Sequence, residues 1–146
     1  MNVRVVVVDE RQAAFYDLFK PSGPLEVVGG VQNGVGGKRD IDLETDRPGR
    51  RFGGMGQHHD VDGERSTIRH ELTLFARAVA QRLYEDRNKR VFDKLVLVAP
   101  PKMLGMLRQV MPNTCKETIA SEIAKDLLHR GPDAIIGAIP REIFFH

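Results

Sequence analysis

One cysteine in 146 residues, Cys115, leaves nothing from which to build an intrachain disulfide framework. A chain of this length does not need one: roughly 70% of its unfolded surface is buried when such a domain folds. The expectation is one domain covering residues 1–146. Long apolar runs are scarce too. The N-terminal run Val5 to Val8 is far too short for a secretory core or a membrane span, so the chain is expected to work in the cytoplasm, without a membrane partner. Neither sign of charge dominates. With 22 basic and 20 acidic side chains the net charge is +2, which permits contact with nucleic acid without demanding it. Internal repeats, heptads and low-complexity tracts are absent as well, which excludes solenoids and coiled coils.

What is present is concentrated in Phe92 to Arg108, FDKLVLVAPPKMLGMLR. Leu95 to Ala99 form a continuous apolar run, the pattern of a strand covered on both faces. Pro100 and Pro101 end it and open a helix, since proline is tolerated in a first turn whose N–H groups have no intrahelical partner. Met103, Leu107 and Val110 then follow at helical spacing until Pro112. Where a strand's carboxyl end opens into a helix, α/β sheets place ligands, and Lys102 and Arg108 lie in this segment as candidate anion-binding residues.

The segment Ala99 to Arg108 resembles the APPRxLGxLR signature of the proteins required for attachment to host cells, with Lys102 in place of the arginine. Lys125-Asp126-Leu127 resembles that family's C-terminal Lys-Asp-Leu triplet, and Asp46-Arg47-Pro48-Gly49-Arg50 its DRPGR loop. The resemblance implies an α/β domain similar to the middle domain of eukaryotic and archaeal peptide-release factors. It adds Lys125 and Asp126 to the candidate binding residues.

Elsewhere, Val3 to Val8 reads as a buried strand, Ala13 to Lys20 as a second and Leu25 to Val28 as a third, joined by the turn Pro21 to Pro24 into an antiparallel meander. From Gly29 to Gly63 glycine and charge dominate, which predicts a long loop. Ile68, Leu72, Phe75, Val79 and Leu83 make one apolar stripe on a helix from about Glu64 to Asn88. Thr114 and Glu117 match a capping box, which predicts a helix carrying Ile119, Ile123 and Leu127. Gly131-Pro132 is expected to break it, leaving a short apolar tail from Ile135 to Phe145.

Several patterns fall short of a chemical site. Gly29 to Lys38 lacks the glycine spacing and hydroxyl of a phosphate loop. His58, His59, Asp60, Asp62 and His70 lack helical ligand spacing, so no metal and no cofactor are expected. Cys115 falls in a predicted first helical turn, where a lowered thiol pKa competes with a half-buried packing role. Asp9 and Asp126 are candidates for an acid–base pair, against ion-pair or capping roles. Release factors present a Gly-Gly-Gln tip, and Gly53-Gly54-Met55-Gly56-Gln57 resembles it in part, with Met55 and Gly56 interrupting. Gln57 is therefore the candidate catalytic residue, against a glycine loop of no catalytic role.

Arg47, Arg50 and Arg51, beside Phe52 and the glycines Gly53 and Gly54, are of the type that contacts single-stranded RNA. The expectation is a single α/β domain, a mixed sheet flanked by helices. The leading functional expectation is a cytoplasmic, non-enzymatic binding module contacting RNA or the ribosome, with attachment to host cells as an indirect output. A hydrolase acting on an ester or phosphodiester through Gly53 to Gln57, or through the site around Lys102 and Arg108, is the alternative.

Overall fold

The computed structural model describes residues 1–33 and 61–145, with side chains from residue 66 onward in the second stretch. Among these residues the chain forms a five-stranded sheet: β1 (Val3–Val8), β2 (Gln12–Leu18), β3 (Glu26–Gln32), β4 (Lys94–Val98) and β5 (Ile119–Ile123). The strand order is β3-β2-β1-β4-β5. β2 runs antiparallel to β1 and β3, whereas β4 is parallel to β1 and β5 parallel to β4, so the sheet is mixed. The helices are α1 (Val61–Asn88), α2 (Pro101–Val110), the short α3 (Asn113–Lys116) and α4 (Pro132–Ala138), with a final 3-10 turn at Arg141–Phe144.

The expected meander and the buried strand before the two prolines are both present. All six residues of β1 are buried, and so is every residue from Leu95 to Ala99. Alternation along these strands feeds two cores. Val6, Val8, Phe15, Leu95 and Leu97 pack with Phe75, Val79 and Leu83 of α1 and with Met103 and Leu107 of α2. On the other face Val3, Val5, Val7, Val96 and Val98 pack with Ile135, Ile139 and Ile143 from the C-terminal helix and turn. A strand covered on both faces has no solvated side on which to alternate polar residues, which is why β1 and β4 read as unbroken apolar runs.

Three expectations need correction. The loop predicted over residues 29–63 is overturned at both ends, where β3 continues through Gly29 and Gly30 to Gln32 and α1 begins at Val61; the rest of that stretch lies outside the described residues. The predicted helix through Ile119 and Ile123 is only the one-turn α3, followed by a strand. The i, i+4 spacing arises here from an extra residue after Ile119, which turns Ile119 and Ile123 to opposite faces of the sheet, and β-branched isoleucine favours the strand. Gly131-Pro132 starts a helix rather than ending one: Gly131 takes φ +94° as its N-cap and Pro132 occupies the first helical position.

Helix α1 is fixed against the sheet by a charged knot. Buried Arg4 donates from Nε to Asp17 Oδ1 (2.7 Å) and from Nη1 to Asp86 Oδ2 (2.6 Å), while Arg82 Nε also donates to Asp86 Oδ2 (2.9 Å). The Arg82 guanidinium lies 4.9 Å from the Phe15 ring centroid, and that of Arg4 lies 5.4 Å from Phe92. Burial alone would raise the Asp86 pKa, but the hydrogen bonds from Arg82 and Arg4, with their charges, outweigh it and hold the carboxyl below its usual range. With its C-terminal end pinned near the start of β1, the helix runs back toward the strands' carboxyl ends. A 28-residue helix is about 42 Å long, twice the length of a six-residue strand. Its first turns therefore overhang, and Ile68, expected on the buried stripe, is 57% exposed while Leu72 is 6% exposed.

Candidate functional site

The carboxyl ends of the parallel strands meet at one open cleft of about 360 Å³, lined by Asp9, Glu10, Arg11, Leu72, Pro100, Lys102, Met103, Met106 and Asp126. Each wall follows from the sequence that ends a strand. β1 stops where Val8 gives way to Asp9-Glu10-Arg11, and β4 stops at the prolines that start α2. Asp126 arrives in the connection after β5. The overhang of α1 brings Leu72 across to face Met103 and Met106, so the floor is apolar and the rim is charged.

The rim side chains differ in how far they are engaged. Asp9 Oδ1 accepts from the backbone N–H of Arg11 (2.7 Å) and of Gln12 (2.9 Å), which closes the turn between β1 and β2. Its Oδ2 lies 3.6 Å from Nε2 of the exposed His129. Asp9 thus has the capping role that competed with acid–base chemistry, although Asp126 does line the same cleft. The exposed side chains of Glu10, Lys102 and Asp126 make no hydrogen bond or ion pair with the described residues. Met103 is buried, anchoring the first turn of α2, whereas Met106 and Pro100 are half-buried and face the opening.

Of the candidate binding residues in the described part, the structure brings Lys102 and Asp126 together and leaves the others apart. Arg108, expected as an anion site near a helix start, lies in the last turn of α2 and donates from Nε to Glu122 Oε1 on β5 (2.8 Å). The helix separates it from Lys102 by six residues, about 9 Å. Lys125 is exposed but does not line the cleft. Arg47, Arg50, Arg51, Gly53, Gly54 and Gln57 lie outside the described residues, as do His58, His59 and Asp60. The side chain of Asp62 is likewise outside the description, and His70 is exposed on α1. Among the described residues no three His, Cys, Asp or Glu side chains come together as a metal site.

Cys115 is 0% exposed, in the core beneath α1 and α2. Burial pushes its thiol pKa up, and the nearby charge of Arg87 lowers it by less. The thiol is therefore a core side chain, and its place at a helix start does not activate it. Glu10, Arg11, Leu72, Met106 and His129 joined the site unforeseen. The charged triplet directly after a fully buried strand was the available signal for the first two. For Leu72, separations of tens of residues from the other lining groups gave none, and His129, three positions after Asp126, enters only through its contact with Asp9.

Comparison with known proteins places most of the chain in one family. The family model described as "Protein required for attachment to host cells" matches residues 4–139. The uncharacterized protein RP470 of Rickettsia prowazekii (strain Madrid E) is 38% identical over 52 residues, which is 36% of this chain and 35% of that relative. The matched stretch thus spans about a third of each. Among the described residues, no helix is long and apolar enough to cross a membrane.

Proposed function

This chain belongs to the family of proteins required for attachment to host cells, and from that premise we propose that it is a cytoplasmic, non-enzymatic binding module that contacts RNA or the translation machinery. Its effect on attachment is then indirect. The observation that carries the proposal is Lys102: an exposed ammonium without an ion pair among the described residues, at the mouth of a cleft floored by Leu72, Met103 and Met106. Such a floor suits the flat face of an unstacked base, and the ammonium suits the phosphate beside it. The cleft's volume lies at the lower end of the range of small-ligand sites, about 300–1,000 Å³. Resemblance to the release-factor middle domain supports a place near the ribosome, and Arg47, Arg50 and Arg51 would add the long-range charge.

Binding of short single-stranded RNA, and co-sedimentation with ribosomes, at graded salt is the test. Affinity should fall as salt rises, with a slope of about 0.7 for each phosphate neutralised. Lys102→Ala should reduce both affinity and slope. Arg108→Ala, which removes only an exposed ion pair on the far turn of α2, should change neither and should cost under about 1 kcal/mol of stability. Absence of RNA and ribosome binding at low salt would end the proposal. Peptidyl-tRNA hydrolysis by the wild-type chain, lost in Gln57→Ala, would replace it with the hydrolase alternative.

A further inference from the structure

The charged rim of the cleft says which base it would take, given the RNA contact proposed above. We infer that the cleft selects a base presenting adjacent N–H donors, guanine foremost, and rejects uracil. Three side chains on the rim are available to a ligand: Glu10, Asp126 and Lys102, none of which is engaged by the described residues. Asp9 is not available in the same way, because one oxygen already accepts two backbone N–H groups and the other faces His129.

An ionised carboxylate is acceptor-only, and its two oxygens take two parallel N–H bonds. Guanine offers N1–H and an N2 amino hydrogen side by side, which matches that pair of oxygens. Cytosine and adenine offer one amino group each. Uracil offers a single N–H, at N3, flanked by carbonyl oxygens, so a carboxylate that accepts from it is left with its second oxygen facing a carbonyl, acceptor against acceptor. Lys102 supplies the opposite chemistry, three donors and no acceptor, and so takes the phosphate. Methionine sulfur and the Leu72 side chain beneath are sequence-tolerant and supply contact area only. Discrimination therefore resides in the two carboxylates.

The experiment uses the full chain and a fluorescent short oligouridylate, together with the same oligomer carrying one central guanosine, cytidine or adenosine. The expected result is about tenfold tighter binding for the guanosine oligomer than for oligouridylate, with the other two between. Glu10→Gln and Asp126→Asn exchange an acceptor for a donor while leaving shape almost unchanged, and an amide complements uracil's N3–H and carbonyl. In at least one of them the guanosine and uridine affinities should converge, with the thermal midpoint at the wild-type value as the check on folding. Equal wild-type affinity for all four oligomers overturns the inference and leaves RNA binding standing, as does a guanosine preference that survives both substitutions. Failure of every oligomer to bind at low salt removes the RNA contact and the inference together.

Discussion

Arg4 Nη1 donates to Asp86 Oδ2 over 2.6 Å, tying the second residue of β1 to a helix 82 positions later in the chain. The two side chains are 4% and 11% exposed, so neither has water to fall back on. The same carboxylate oxygen accepts from Arg82, and Arg4 also holds Asp17, which makes Asp86 the shared acceptor of two cations.

Removing that acceptor should be costly. Asp86→Ala leaves the buried Arg4 guanidinium with one partner instead of two, and breaking a buried pair costs about 3–5 kcal/mol. A urea unfolding midpoint reads this directly. The pH dependence has a definite sign. A carboxyl held below its usual pKa in the folded state contributes stability that is present above the unfolded-state value and is lost as the pH falls through the folded one. Wild-type stability should therefore fall at acid pH more steeply than that of Asp86→Asn, measured by the same unfolding series.

Cys115 should be chemically silent in the native state. Fully buried, with its thiol pKa raised by burial, it should react with a disulfide reagent at mildly alkaline pH only as fast as the protein unfolds, and at once in denaturant. Cys115→Ser places a hydroxyl in an apolar site and should cost about 1–3 kcal/mol. Rapid native-state labelling would show that the thiol is accessible.

Gly29 makes room for the charged knot. Its φ of +156° and the 2.9 Å separation between a built Cβ and the Arg82 guanidinium nitrogens both oppose a side chain there. Gly29→Ala should cost about 1–3 kcal/mol of unfolding free energy. Adding Arg82→Ala should reduce, without abolishing, that extra cost in a double-mutant cycle, because the backbone conformation remains.

Gly29 also shows why part of the fold could not be seen in the sequence. Two glycines after two valines read as the end of a strand, yet the strand continues because a guanidinium from α1, 53 residues away, needs the space. Local pattern was sufficient where burial itself imposed it, as in β1, in β4 and along Leu72 to Leu83. It was insufficient for β5, where an extra residue after Ile119 gives a strand the isoleucine spacing of a helix while the two isoleucines enter opposite cores. The site was legible to the extent that strand ends are: Lys102 and Asp126 lie where their strands stop. Arg108 misled because proximity to Lys102 in sequence becomes the opposite end of a helix in space.

The β5 edge carries one surplus residue. Its register against β4 pairs Leu95 with Ile119 but Val96 with Ser121, so Ala120 is left over. Downstream of it the alternation is inverted: Ile119 packs with the core under α1 and α2, Ile123 with the core under α4, and Glu122 is turned toward Arg108. A deletion at this point consequently removes only an unpaired residue. Taking out Ala120 would leave Ile119, Ser121, Glu122 and Ile123 opposite Leu95, Val96, Leu97 and Val98 in an unbroken ladder, with Glu122 and Ile123 on the faces they hold now. At this exposed position the ladder accommodates the loss of the residue as readily as a change in its side chain.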